Sequence, residues 1–251
     1  MKLVLGIYAL LGFWAGPVAA DSALAPTSVV VGPVVVELFT SQSCSSCPPA
    51  EALLGKLAGR PDLIALEFHV DYWNDLVHGA AGRWTDVHSS PVHSARQRAY
   101  GRRLGGGVYT PQMVIDGRAQ AIGSRADDIE RAIAAARQRS RTPLMVTATD
   151  AGGLAIRGAA GATAPAELWL VRYLSEETTR VRAGENRGQI LVNHHIVTGM
   201  IHLADWPLAT DTLSVDPLDL PPGEGCAVLL QASGQGPIMG AATCPKAPRY
   251  Q

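Results

Sequence analysis

Two runs of nearly continuous apolar residues near the start of the chain predict buried strands. Residues 34–39 read VVVELF and residues 63–70 read LIALEFHV, a pattern typical of strands that are covered on both faces. Between them, residues 48–57 begin with two prolines and continue with leucines at helical spacing, which predicts a helix. The pattern therefore predicts a β-α-β unit, whose first strand lies within residues 29–39.

The alternation of helices and strands continues beyond this unit. A polar, irregular loop over residues 74–91 comes first. We then predict a basic amphipathic helix over residues 94–104, whose arginines, Arg96 among them, face solvent. A strand over residues 108–115 begins at Thr110-Pro111, and a return strand over residues 120–123 follows the hairpin signal Asp116-Gly117. A final helix is predicted over residues 124–137. This order of elements predicts an α/β layer fold.

The pattern changes after Arg141. Strand-like runs recur at short intervals without a helical pattern, and Gly and Pro clusters such as Gly152-Gly153 separate them. Short strands with regular turn signals are typical of an all-β sandwich. We therefore predict two domains, an α/β domain over residues 28–141 and a smaller, sandwich-like all-β domain over residues 142–251.

Residues 1–20 have the features of an export signal. Lys2 supplies a positive charge, an apolar stretch too short to span a bilayer follows, and Val18-Ala19-Ala20 is a small-residue cleavage site. We predict a signal peptide, a periplasmic or secreted mature protein and no stable membrane insertion. An uncleaved N-terminal anchor is the alternative.

Composition limits the function classes. Hydrophobic residues make up 47% of the chain and charged residues 17%, a balance typical of a globular protein that buries a core. The formal net charge is −1 and no basic run is present, which argues against nucleic acid as a partner.

Four cysteines carry the candidate chemistry. Cys44 and Cys47 form a CxxC motif between a predicted strand and a predicted helix. The backbone N–H groups and the dipole at a helix N-terminus favour a thiolate, which is the nucleophile of disulfide exchange. We assign Cys44 as the attacking thiol and Cys47 as the resolving thiol. The hydroxyls of Ser45 and Ser46 can tune Cys44, and we predict that both serines also contact the substrate.

Cys226 and Cys244 flank a second predicted hairpin, and local spacing favours a disulfide between them over the other pairings. Because no helix follows either cysteine, we predict that this disulfide is structural. Closing a loop of that length contributes about 3 kcal/mol to stability.

Two other interpretations of the CxxC motif stay open. A permanent local disulfide would stabilise the fold only weakly, because the closed loop is short. A metal site would need further ligands, since one CxxC supplies two of the four that structural zinc usually has. We predict no bound metal, because no spacing selects any of the seven histidines as a ligand: His69, His78, His88, His93, His194, His195 and His202.

The strand–CxxC–helix pattern, followed by Thr110-Pro111 at the start of a strand, resembles the thioredoxin fold. The resemblance implies a cis-proline at Pro111 that packs beside the redox cysteines, where the backbone of Thr110 helps to hold an extended substrate. Thioredoxins commonly have a tryptophan just before the motif, whereas this chain has Gln42-Ser43.

Four segments resemble, more narrowly, an uncharacterised family of exported bacterial proteins. That family has a thioredoxin-like N-terminal half and a β-rich C-terminal half, and the resemblance covers nearly all of the mature chain. The segments are VELFTSQSCSSCPPAE, HVDYWNDL, SARQRAYGRRLGGGVYTPQMVIDG and GENRGQILVNHHIV.

Three more residues are candidates for the site. Thioredoxins carry a buried acid on the first core strand that moves a proton for the resolving cysteine, and the resemblance implies this role for Glu37. The alternative is that Glu37 faces outward or pairs with an arginine. Tyr72 and Trp73 follow the second strand at the motif's end of the sheet, where they either shape a substrate groove or fill the core.

These features predict an exported thiol–disulfide oxidoreductase. Its substrates would be protein thiols and disulfides, a second protein would renew its redox state, and it would need no cofactor. Two alternatives stay open, a copper-binding or other metal-binding protein of the metallochaperone type and a non-catalytic interaction protein on a thioredoxin scaffold.

Overall fold

The computed structural model describes residues 32–158, 165–207, 212–218 and 220–245, and the predicted signal peptide lies outside these ranges. The first half contains four strands and three α-helices: β1 Val34–Thr40, α1 Pro48–Ala58, β2 Leu63–His69, α2 Pro91–Leu104, β3 Gln112–Ile115, β4 Ala119–Ile122 and α3 Ala126–Arg137. No helix within the described ranges is long and apolar enough to cross a membrane.

The second half is built from strands. They are β5 Leu144–Ala148, β6 Leu154–Gly158, β7 Ala166–Arg180, β8 Ile190–Trp206, β9 Leu213–Val215, β10 Glu224–Ala232 and β11 Ile238–Thr243. Eight strands form one sheet in the order β11-β10-β7-β8-β2-β1-β3-β4, and β5, β6 and β9 form a separate small sheet. β1 and β2 are parallel, β2 and β8 are also parallel, and the other pairs in the large sheet are antiparallel.

β1 is buried along its whole length because both faces of the sheet are covered. Successive side chains of a strand point to opposite faces. One face of the sheet packs against α1 and α3 through a cluster that includes Val34, Val36, Leu38, Leu54 and Ile129. The other face packs against α2 and reaches β7 and β10, in a cluster that includes Val35, Phe39, Tyr100, Val171 and Leu229. The continuous apolar run of β1 follows from this double burial.

The β-rich second half continues the sheet of the first half. β8 pairs with β2 at Glu67 and Ile196, so it covers a sheet edge that would otherwise expose unpaired backbone groups. The small sheet packs face to face on β7 and β10 through a cluster that includes Ile156, Leu170 and Val228, as in a sandwich. The second half is therefore joined to the first by a shared sheet, and the boundary at residue 141 stays a prediction.

Candidate redox site

The CxxC motif forms the connection between β1 and α1. Cys44 and Cys47 are disulfide-bonded, with their Cα atoms 5.4 Å apart. Cys47 is the residue before the first turn of α1, and its carbonyl accepts hydrogen bonds from Ala50 N and Glu51 N. The motif thus lies at the N-terminus of a helix, where backbone donors and the helix dipole favour a negative charge.

Hydroxyl groups surround the sulfur of Cys44. Thr110 Oγ1 donates a hydrogen bond to Cys44 Sγ at 3.3 Å, and Ser46 Oγ lies 3.3 Å from the same sulfur. Trp73 Nε1 donates to Thr110 Oγ1 at 3.0 Å. The Thr110–Pro111 peptide bond is cis. The predicted residues Ser46, Thr110 and Trp73 are therefore brought together with Cys44.

The predicted substrate-binding residues differ in exposure. Ser45 and Ser46 are exposed, whereas Pro111 is buried. Tyr72 is half-buried and packs on the core cluster beside α2, and its role in a substrate groove stays a prediction. Trp73 packs on the same cluster and also reaches Thr110.

Little solvent reaches the cysteines. Cys44 is 1% exposed and Cys47 is fully buried. The ring of His78 stacks on Trp73, with the ring centroids 5.8 Å apart, and His78 Nδ1 lies 3.5 Å from Glu185 Oε1. The loop between β2 and α2 therefore contacts both Thr110, through Trp73, and the loop between β7 and β8, through His78.

The loop between β7 and β8 holds the motif from the other half of the chain. Asn186 is buried, and its Nδ2 donates to the carbonyl oxygens of Gln42 and Cys44, both at 3.0 Å. Glu185 Oε2 accepts a hydrogen bond from Ser45 N at 2.9 Å. Both residues belong to the segment GENRGQILVNHHIV, to which sequence reasoning assigned no role.

A buried group of charged side chains lies under the motif. His69 Nδ1 lies 2.7 Å from Asp86 Oδ2, and His69 Nε2 lies 3.2 Å from Glu67 Oε1. Burial alone would lower the pKa of His69, but Asp86 and Glu67 together raise it well above its ordinary value. Burial would also raise the pKa of Asp86, and His69 holds it below its ordinary value. The pair is therefore an ion pair inside the protein.

This group is connected to the loop that carries the CxxC motif, residues 41–47, which we call the redox loop. Asp86 Oδ2 also accepts a hydrogen bond from Gln42 N at 2.8 Å. Asn193 Nδ2 and His194 N donate to the two carboxylate oxygens of Glu67. Contacts from β2, β8 and the loop that carries Asp86 thus fix Gln42, which lies two positions before Cys44.

Glu51 carries the carboxyl group nearest in sequence to Cys47, one helical turn along α1. It is 2% exposed, and its Oε1 accepts a hydrogen bond from Thr40 Oγ1 at 2.7 Å. Burial, and after it the negative charge of Glu67, raises the pKa of Glu51 to about 8. A carboxyl group with this pKa can take up or release a proton near neutral pH.

A carboxyl group that acts as a general base here would have to be buried without a partner. Glu37 does not meet this condition. Its Oε1 accepts a hydrogen bond from Arg96 Nε at 2.7 Å, and its Oε2 accepts one from Tyr100 OH at 2.6 Å. The alternative that Glu37 pairs with an arginine is therefore correct. Arg96 is 7% exposed, so the prediction that it faces solvent is wrong: it neutralises the buried carboxylate.

Cys226 and Cys244 form the second disulfide, as predicted. Cys226 lies on β10, Cys244 directly follows β11, and Cys244 N donates to Cys226 O. Both pack in the apolar cluster between the large and the small sheet.

The histidines do not assemble into a metal site. Among the described residues, no group of three or more His, Cys, Asp or Glu side chains is placed to hold a metal ion. His69 and His93 are buried and bonded within the fold: His93 Nδ1 lies 2.9 Å from the carbonyl oxygen of His69, and burial lowers the pKa of His93 to about 4.

Comparisons with other proteins extend over most of the chain. Residues 35–231 match the model of a family described as a protein of unknown function, DUF1223. The crystal structure of an Agrobacterium tumefaciens protein, a structural genomics target, is similar with a TM-score of 0.69 and 30% sequence identity, over 88% of this chain and 97% of that one. No curated protein matches the chain.

Proposed function

We propose that this chain, which belongs to the DUF1223 family of proteins of unknown function, is a thiol–disulfide oxidoreductase that acts through Cys44 and Cys47. The observation that carries the proposal is the environment of the Cys44 sulfur. Cys44 lies three positions before Cys47, the N-cap of α1, and Thr110 Oγ1 donates to its sulfur while Ser46 Oγ lies beside it. Donors aimed at a sulfur stabilise the thiolate that disulfide exchange requires.

The exchange proceeds in two steps. The Cys44 thiolate attacks one sulfur of a substrate disulfide, forms a mixed disulfide and releases the other sulfur as a thiolate, which takes up a proton. Cys47 then loses its proton and attacks Cys44 Sγ, and the second substrate thiol leaves. The protein ends as the disulfide and the substrate as two thiols. The reverse sequence oxidises a substrate.

Glu51 fits the role of proton acceptor for Cys47 better than Glu37 does. It lies one turn after Cys47 on the buried face of α1, and its raised pKa of about 8 is close to the ordinary pKa of a thiol. Groups with matched pKa values exchange a proton at low cost in free energy. Glu37, by contrast, is bound by Arg96 and Tyr100.

A thioredoxin-like assignment of the first half is part of this proposal. A buried β1, the CxxC loop, helix α1 and Thr110 beside the reactive sulfur support it. Apolar side chains in the two loops beside the site support an extended polypeptide as substrate. Leu76 and Val77 follow Trp73, Val108 precedes Thr110, and all three are exposed. The predicted signal peptide is consistent with action outside the cytoplasm, where disulfides form.

The test is an exchange assay on a protein disulfide such as insulin, with dithiothreitol as electron donor. Cys44→Ser should reduce the rate to that of dithiothreitol alone. Cys47→Ser should accumulate a mixed disulfide that is visible by mass spectrometry as a substrate adduct on Cys44. A wild-type rate no higher than that of dithiothreitol, without a trapped adduct, would contradict the proposal.

The 1% exposure of Cys44 favours a second candidate function, in which the motif is a permanent disulfide in an interaction protein. That candidate predicts that the double variant Cys44→Ser/Cys47→Ser keeps partner binding. It also predicts that iodoacetamide does not label Cys44 after mild reduction.

A further inference from the structure

A carboxylate from the second half of the chain accepts a hydrogen bond from a backbone N–H group of the redox loop. Ser45 directly follows Cys44, and its N–H group donates to Glu185 Oε2 at 2.9 Å. This hydrogen bond lowers the pKa of Glu185, so the side chain is ionised at neutral pH. Glu185 therefore adds a negative charge next to the residue that must carry the attacking thiolate.

The charge of Glu185 opposes the thiolate in two ways. It repels a second anion nearby, and it engages an N–H group that could otherwise face the anionic sulfur. A group that disfavours the thiolate destabilises the reduced protein relative to its disulfide form. Proteins that strongly oxidise their substrates depend on the opposite, a stabilised reduced form.

We propose that Glu185 biases the Cys44–Cys47 couple towards its disulfide form, so that the protein acts as an electron donor that reduces protein disulfides. This inference rests on the proposed function and gives it a direction. The reduced protein transfers two electrons and two protons to the substrate disulfide and becomes the Cys44–Cys47 disulfide. An external dithiol then returns two electrons and two protons.

Other charged groups near the redox loop also contribute to the electrostatic potential at Cys44. His78 Nδ1 faces Glu185 from the loop between β2 and α2. Glu51 lies on α1, and Asp86 with its ion-pair partner His69 lies below Gln42. Because these groups are retained when Glu185 is changed, a comparison of variants isolates the charge of Glu185.

The test is the equilibrium between the purified protein and glutathione buffers of known ratio, followed by alkylation and mass spectrometry. Glu185→Gln keeps the size of the side chain and an oxygen that can accept from Ser45 N, and it removes the charge. We expect the equilibrium constant to shift about fivefold towards the reduced protein, which corresponds to about 20 mV for two electrons. Glu130→Gln, which changes an exposed carboxylate on α3, should leave the constant unchanged.

Two signatures separate a charge effect from a loss of structure. The pKa of Cys44, measured from the pH dependence of its alkylation rate, should fall in Glu185→Gln. The difference between wild type and Glu185→Gln should also shrink as salt is added, because the carboxylate is at the surface and salt screens it.

Equal equilibrium constants with glutathione for wild type and Glu185→Gln, or a shift of the variant towards the disulfide form, would overturn the role of Glu185. If wild type still catalyses exchange in that case, the proposed function stands without this direction. If wild type catalyses no exchange and Cys47→Ser traps no adduct, the proposed function fails and this inference fails with it.

Discussion

Three of the four disulfide-bonded cysteines are buried and Cys244 is half-buried, but the two disulfides differ most in their neighbours. Cys44–Cys47 lies between a strand and a helix, beside the hydroxyls of Thr110 and Ser46, and a buried group of charged side chains lies beneath its loop. Cys226–Cys244 joins the ends of two adjacent strands inside an apolar cluster. The candidate redox pair is the less exposed of the two, so solvent exposure does not mark it. The polar groups that can stabilise a thiolate and move a proton distinguish it from the second pair.

The comparison supports our proposal that Cys44–Cys47 is a redox pair, whereas Cys226–Cys244 stabilises the fold. A thiolate in an apolar cluster has no donor to stabilise it, so its disulfide is hard to open. A disulfide that closes a longer loop also restricts the unfolded chain more strongly. Each of the following variants should affect one of the two regions and spare the other.

The largest loss of stability is expected for the double variant Cys226→Ser/Cys244→Ser. Losing a disulfide with a sequence separation of 18 should lower the free energy of unfolding by about 3 kcal/mol, as measured by chemical denaturation. The rate of disulfide exchange should stay within about twofold of wild type, because the redox loop is untouched. A folded double variant that no longer catalyses exchange would assign a redox role to the second pair.

A smaller loss is expected for Asn186→Ala. The change removes the donor to the carbonyl oxygens of Gln42 and Cys44, and leaving buried acceptors without a partner costs about 2 kcal/mol. Gln189→Ala is the matched control, because Gln189 is exposed and its side chain donates only to Asn186 Oδ1 among the bonds described. Equal stabilities of the two variants would show that Asn186 does not hold the loop.

Glu51→Gln should change how stability depends on pH. The pKa of Glu51 is raised from 4.5 to about 8, so between these values the folded protein retains a proton that the unfolded chain has lost. Stability therefore falls as the pH rises through this window, by up to about 1.4 kcal/mol per pH unit. Glu51→Gln should remove this part of the slope in denaturation experiments from pH 5 to pH 8. Parallel curves for wild type and variant would refute the raised pKa.

Local patterns predicted one part of the redox site correctly. The helix after Cys47 and the disulfide pairings follow from short-range signals. Thr110 and Cys44 are 66 positions apart, and their proximity was an implication of the resemblance to the thioredoxin fold. Glu51 carried a signal as well, because its spacing places it on the same face of α1 as Ala50 and Leu54.

The rest of the site depends on contacts between distant parts of the chain. Glu185 and Asn186 meet the motif across sequence separations of 140 and 142 residues, and no local pattern specifies such a contact. Glu37 shows the same limit. An acid in an apolar strand signals a buried carboxyl, but whether it acts as a base or pairs with Arg96 is decided by how α2 packs on the sheet.

The reduction potential of the Cys44–Cys47 pair tests the central claim most directly. The purified protein would be equilibrated in dithiol buffers of decreasing potential, and each cysteine pair would be scored by alkylation and mass spectrometry. We expect Cys44–Cys47 to become reduced at potentials above about −300 mV while Cys226–Cys244 remains oxidised. A Cys44–Cys47 disulfide that persists well below that potential would show that the pair is structural and contradict the account.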